Sequence, residues 1–222
     1  MTTASSETKI LLEASSLSHS YEYSLFENID LNLQKQKSVA IVGVSGSGKS
    51  TLLHILSSFL TPNSGVVKIL NSDIYNLNST KLIELRRKYI GIIFQQHYLF
   101  KGFSVLENLK IGAMIANLDI DYELLENLGL SKILDTNVSD ISGGEQQRVS
   151  IARVLMKKPK IIFGDELTGN LDDGTTNNVV NVILDYIKVK NAAAIFVTHN
   201  HKVADMCDAT YELKNTLLRQ IS

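Results

Sequence analysis

Eight consecutive residues, Gly43 to Ser50, read G-V-S-G-S-G-K-S, and their types and spacing fit one chemistry. Where bulky side chains are absent, the N–H groups of Gly46, Ser47 and Gly48 can turn inward together as an anion-binding nest at a helix start. Lys49 would reach the β- and γ-phosphates of a nucleoside triphosphate, and the Ser50 hydroxyl would take a Mg²⁺ position. The flanks agree with that use. Val39, Ala40, Ile41 and Val42 form an apolar run before the loop, and Leu52, Leu53, Ile55 and Leu56 recur with helical period after it. That is the strand, loop and helix such a site requires, and a chance Gly/Ser turn would not fill all four fixed positions in this setting.

A second stretch, Ile141 to Arg153, reads I-S-G-G-E-Q-Q-R-V-S-I-A-R. Ser142 with Glu145 three residues on is a capping box, and Gly143 and Gly144 leave the first-turn N–H groups accessible. A helix start of that kind is another phosphate-binding surface. Taken on Ser142 and Glu145 alone, an ordinary capped helix explains the pattern equally well.

These loops need elements to hold them. Residues 10–20 and the alternating Ile29, Leu31 and Leu33 read as strands, and Val39–Val42 as a strand covered on both faces. The helix from about Lys49 stops at the Thr61-Pro62-Asn63-Ser64-Gly65 turn. Val66–Leu70 is a strand, Leu82–Lys88 a short basic helix, and Tyr89–Phe94 a buried strand ending at Gln95. From Ser104 to about Leu134 the pattern is helical. The Ser142 helix runs to about Lys157, where Pro159 closes it. Lys160–Asp165, Ala193–Thr198 and Ala209–Leu213 are strands, Asp172–Lys188 an amphipathic helix, and His201–Met206 a short one. Strands alternating with helices predict an α/β chain with a mainly parallel core sheet flanked by helices.

Bulk properties narrow the class. The 222 residues are 44% hydrophobic and 20% charged, with a formal net charge of −1, so nothing draws the chain toward nucleic acid or anionic lipid. Cys207 is the only cysteine, which excludes an internal disulfide framework and a cysteine metal site. No apolar run approaches the roughly 20 residues of a membrane span, and M-T-T-A-S-S-E-T-K is no secretory leader. The chain is expected in the cytoplasm, without direct membrane insertion.

The whole string Ile141–Arg153 resembles the signature of ATP-binding-cassette (ABC) ATPases, and the resemblance runs from Tyr21 to His199. It implies a P-loop NTPase of the ABC type over 1–222. An N-terminal antiparallel β-subdomain and core occupy about 1–95 and 158–222, with an inserted helical subdomain at about 96–157. It also implies an ATPase using ATP and Mg²⁺, with a site assigned as follows. Gly43, Val44, Ser45, Gly46, Ser47, Gly48, Lys49, Ser50 and Thr51 bind ATP, and Tyr21 stacks on adenine, with Tyr23 as a competitor. Ser50, Gln95 and Asp165 hold Mg²⁺. Glu166 activates the attacking water, and His199 contacts the γ-phosphate and Glu166. Gln95, ending the strand Y-I-G-I-I-F, is the third catalytic residue the resemblance implies, touching Mg²⁺ and the water and moving with the helical lobe. Thr168-Gly169-Asn170-Leu171-Asp172 resembles the D-loop of the dimer interface. Ser142, Gly143, Gly144 and Glu145 act in trans, so the working unit is a head-to-tail homodimer in the ATP state.

The glutamate of S-G-G-E, the T-G-N-L-D run and F-Q-Q-H-Y-L resemble one branch of that family: the lipoprotein-release (LolD-type), macrolide-export (MacB-type) and cell-division (FtsE-type) ATPases. The first is the nearest match. It implies a motor subunit on the cytoplasmic face of the inner membrane, under integral membrane permease subunits that dock near Gln95–Met114. There Tyr98, Leu99, Phe100 and Phe103 offer apolar side chains in a loop. The alternative is an FtsE-like ATPase that signals through a membrane partner rather than transporting. Two departures stand out. Leu167 follows Glu166 where the family has proline, which should loosen the D-loop approach, and Lys35-Gln36-Lys37 replaces a glycine-containing turn.

Overall fold

The apolar run before the phosphate loop lies inside a sheet, as its two-sided hydrophobicity requires. In a computed structural model, which describes residues 10–169 and 171–222, two sheets and seven helices are built in chain order. The first nine residues, on which the reading of no leader rests, and Asn170 of the T-G-N-L-D run lie outside the described residues. A hairpin of β1 (Ile10–Ser20) and β2 (Ser24–Gln34) leads into β3 (Ser38–Val42), the phosphate loop and α1 (Lys49–Leu56). Next come β4 (Ser64–Ile69), β5 (Ser72–Asp73), α2 (Ser79–Tyr89) and β6 (Ile90–Ile93). Three helices follow: α3 (Val105–Ala116), α4 (Tyr122–Asn127) and α5 (Gly143–Met156). The chain then runs through β7 (Ile161–Asp165), α6 (Asp173–Val189), β8 (Ala193–Val197), α7 (His201–Asp205), β9 (Ala209–Lys214) and β10 (Leu217–Gln220).

The smaller sheet, ordered β2-β1-β4-β5, is antiparallel throughout. The larger is ordered β10-β9-β3-β8-β7-β6, and every pairing in it is parallel except β9 with β10. Parallel strands bring their carboxyl ends to one rim, where ligands of open α/β sheets bind. Here that rim receives the phosphate loop from β3, Phe94 and Gln95 from β6, Asp165 and Glu166 from β7, and Thr198 and His199 from β8.

The larger sheet divides two cores by its period of two. Ile161, Phe163, Ala193, Ile195 and Val197 face a core with the hairpin, α1 and α2. Ile162, Ala194 and Phe196 face another with α3, α5 and α6. Gln36, in the departing turn, takes the left-handed conformation that glycine would supply, with φ 62. Its side-chain amide donates to the Lys188 carbonyl at 2.9 Å, which ties the turn to the end of α6.

The helical stretch expected over 104–134 is broken. α3 ends on Asn117 in the left-handed region, α4 starts on the Asp121 cap, and Gly129 turns the chain with φ 65. From there to Ser142 the chain has no helix, yet Leu128, Leu130 and Val138 are buried. Among the described residues no helix is long and apolar enough to cross a membrane.

Candidate functional site

The four strand ends open onto a cleft of about 530 Å³. Its floor is the phosphate loop, with Gly43, Ser45, Gly46, Gly48, Lys49, Ser50 and Thr51. Gln95, Glu166 and His199 form its far wall, and Tyr21 and Tyr23 stand at its mouth. Gly48 has φ 96, a conformation residues with a Cβ rarely hold, and a Cβ at Gly43 would lie 2.5 Å from the Leu213 carbonyl oxygen. The loop therefore needs glycine at both ends. No side chain caps the start of α1, so its N–H groups and dipole face the cleft.

Lys49 is 8% exposed, and its ammonium donates to the carbonyls of Gly43 and Val44 at 2.9 Å each. The Ser47 hydroxyl is buried with no hydrogen-bond partner, the kind of orphaned group an oxygen-rich ligand satisfies. These features fit a polyphosphate. Ser50 Oγ donates to Asp165 Oδ1 at 3.0 Å, which brings the loop and β7 together. Burial pushes the Asp165 carboxyl above its usual range, and the nearby Glu166 adds to this. The Ser50 bond and the charges of His54 and Lys49 act the other way. A hydroxyl beside such a carboxylate suits Mg²⁺, which takes one or two carboxylates plus water and phosphate oxygens.

Glu166 leaves β7 with φ 48, its N–H donating to the Val197 carbonyl at 2.9 Å. Its Oε1 is 2.9 Å from His199 Nδ1, and its Oε2 accepts from the His199 backbone N–H at 3.4 Å. A carboxylate and an imidazole thus face the loop as a bonded pair. Leu167, the departure from the family pattern, is buried. It is 2% exposed, and its side chain lies on Gly164, where a Cβ would collide with it.

Tyr21 and Tyr23 are both well exposed, at 63% and 65%. Only Tyr21 has a ring partner, meeting His19 edge-on at 5.0 Å. Ser142 to Glu145 do not line this cleft. Ser142 caps α5 with both halves of the capping box made: its hydroxyl accepts from the Glu145 N–H, and Glu145 accepts from the Ser142 N–H. Val44, with 73% exposure, is not among the residues lining the cleft, and Asp172 caps α6 through Thr175.

Two residues of α5 carry contacts that the string Ile141–Arg153 did not disclose. Gln147 donates to the Leu167 carbonyl at 2.8 Å, and Arg153 to the carbonyls of Tyr98 and His97 at 2.9 and 3.1 Å. The available signal was phase. Gln147 lies four residues before Ile151 and eight before Leu155, on the apolar face of the helix, where a polar side chain must find a partner.

Fold, loop and acidic pair together define a nucleoside-triphosphatase of the cassette type. The chain belongs to the ABC transporter family, whose sequence pattern matches residues 26–169, and it is an ATPase domain of that family. Among its relatives, the lipoprotein-releasing system ATP-binding protein LolD of Rickettsia bellii is 43% identical over 200 residues, covering 87% of this chain and 88% of that one. The LolD of Shewanella frigidimarina is 39% identical over 204 residues, covering 89% and 85%. A solved dimer of the ATP-binding cassette MJ0796 in a post-hydrolysis state, bound to ADP and Pi, matches with a TM-score of 0.86 at 28% identity over 95% of this chain and 98% of that one. The fold class and family expected from the sequence are those found.

Proposed function

We propose that this chain is the motor subunit of a transporter that releases lipoproteins from a bacterial inner membrane. It would work as a head-to-tail pair on the cytoplasmic face, beneath integral membrane subunits. The observation that carries the hydrolytic part is the meeting of Lys49, Ser50, Asp165, Glu166 and His199 at one sheet rim. The lipoprotein part is supported by the identity to LolD proteins over most of both chains.

Lys49 and the N–H groups of Gly46 to Gly48 hold the β- and γ-phosphates of ATP. Ser50, Asp165 and Gln95 would hold Mg²⁺, and the chemistry it would supply there is neutralisation of charge on the phosphate oxygens. Glu166 takes a proton from the attacking water, and His199 fixes the carboxylate by the 2.9 Å bond while its other nitrogen remains available to the γ-phosphate. Tyr21, steadied by His19, stacks on the adenine. The start of α5 serves the site of a second copy, since it stands outside its own cleft. The helical subdomain, about 96–157, carries the docking surface for the membrane subunits. Its support is a groove of about 510 Å³ between the Gln96–Leu99 stretch with Lys101 and the residues Val138, Ser139 and Gln146, with Phe100 and Phe103 exposed in the same loop.

Glu166→Gln tests the motor: it should bind ATP, hydrolyse it at least about 100-fold more slowly, and elute as a dimer with MgATP. A variant that stays monomeric at saturating MgATP refutes the paired site. Depletion of the chain in its host should strand lipoproteins in the inner membrane, and normal sorting would refute the cargo.

A further inference from the structure

Helix α5 touches two places that belong, on the proposed reading, to different nucleotide sites. Its first turn, capped by Ser142, does not line the chain's own cleft. Five residues on, about 7.5 Å along the axis, Gln147 is 1% exposed and donates through Nε2 to the carbonyl of Leu167 at 2.8 Å. Leu167 is the residue after Glu166. Between β7 and α6 the described residues are also held by the Glu166 N–H on the Val197 carbonyl, the Glu166 side chain on His199 and the Leu167 side chain on Gly164. The Gly169 N–H on the Glu166 carbonyl and the Leu171 N–H on the Thr168 carbonyl, at 3.1 Å each, add to these, and the Gln147 bond joins them from α5. Glu166 sits in the left-handed region, which a residue with a Cβ keeps only where its neighbours fix it.

We propose that Gln147 is a positioning residue that couples the two nucleotide sites of the dimer, an inference that rests on the head-to-tail reading above. The body of α5 is packed on Val149, Ile151, Ala152, Leu155 and Met156, so the helix moves as one piece. When its start closes on a nucleotide held by the other copy, the side-chain amide carries that displacement to the Leu167 carbonyl. Glu166 of the same copy, one peptide away, is then set for its own site. A buried amide–carbonyl bond suits the task. It is directional, and breaking it strands a buried carbonyl, so the two parts shift together rather than separately.

Gln147→Met, close in volume and without a donor, should leave binding of a fluorescent ATP analogue to the monomer unchanged. It should lower kcat about ten-fold at a KM within about two-fold and bring the Hill coefficient for MgATP down to one. Gln147→Glu adds a reading that bare stability would not move. Its neutral carboxyl can donate to Leu167, whereas its carboxylate cannot. Activity relative to the wild type should therefore recover as pH falls from about 8 to 6, since burial favours the neutral form. That comparison needs only the Gln147→Glu chain and the wild type, and stands even where Gln147→Met melts too early to assay. Wild-type kcat and Hill coefficient in Gln147→Met, or a Gln147→Glu deficit that does not change with pH, overturns the coupling while leaving the dimer intact. A wild type that neither dimerises nor responds cooperatively to MgATP overturns the coupling and the head-to-tail reading together.

Discussion

The carboxylate of Glu145 accepts from the Ser142 hydroxyl at 2.7 Å and from its backbone N–H at 2.8 Å. Those bonds hold it below the usual carboxylate range, so at neutral pH the start of α5 already carries an anion. On the head-to-tail proposal, a phosphate approaching from a second copy would meet like charge, and Glu145→Gln keeps the cap while removing it. In a Glu166→Gln background, Glu145→Gln should lower the MgATP concentration for half-maximal dimer formation about three-fold, read by size exclusion. Lys49→Ala removes a charged donor at the phosphate loop and should weaken ATP binding about 100-fold by calorimetry. Asp165 gives a pH dependence. Its raised pKa widens the range in which it is protonated, and a protonated carboxyl holds Mg²⁺ poorly. The Mg²⁺-dependent part of ATP binding should therefore weaken from pH 7.5 to pH 5, and Asp165→Asn should flatten that dependence. At this scale the phosphate loop was legible because its chemistry is written in consecutive residues. The choice between Tyr21 and Tyr23 was not, because the two lie two residues apart on one turn, both line the cleft and both are exposed, so spacing does not separate them.

Helices α3 and α5 lie so close at Gly112 that a Cβ there would strike the Arg153 carbonyl. Alanine would gain about 1 kcal/mol in helix propensity, but a backbone clash in a packed interface costs about 1–3 kcal/mol. Gly112→Ala should therefore destabilise the chain on urea titration, and most of all loosen the hold of Arg153 on the His97 and Tyr98 carbonyls. Asp208 ties the start of β3 to the start of β9. It accepts from the Ser38 N–H and hydroxyl at 2.8 Å each, and from Lys37 at 2.8 Å. Burial alone would raise its pKa, but these donors outweigh burial and hold the carboxyl below its usual value. A depressed folded pKa means the stabilisation is complete above about pH 4 and fades as pH falls through that folded value. Asp208→Ala should lose about 2 kcal/mol at pH 7, with the gap to the wild type narrowing by pH 3. Periodicity made the central strands and α6 readable, since their apolar residues face one packed layer each. It missed β10, a short edge strand with Leu217 exposed, and it ran α3 into α4, because Asn117 and Gly129 break the helix through backbone conformation while the hydrophobic pattern continues past them.

Across the whole molecule, the sheet is a shared wall between two cores, and β7 and β8 contribute side chains to both. A ligand gripped at the ends of those strands should stabilise both halves. A Glu166→Gln chain with MgATP should melt higher than without it, by an amount that grows with protein concentration as dimer formation adds to ligand binding. The overall architecture was readable from the order of strands and helices, whereas the contacts between layers were not, because they join residues tens of positions apart. One consequence concerns Arg153, whose guanidinium grips the His97 and Tyr98 carbonyls and lies 5.9 Å over the Phe100 ring. The same helix carries Ser142 at its tip and Gln147 along its length. A small molecule wedged beneath the His97–Tyr98 loop would tilt that rod without touching nucleotide. It would act as an uncoupler, leaving the fuel bound and the stroke undelivered.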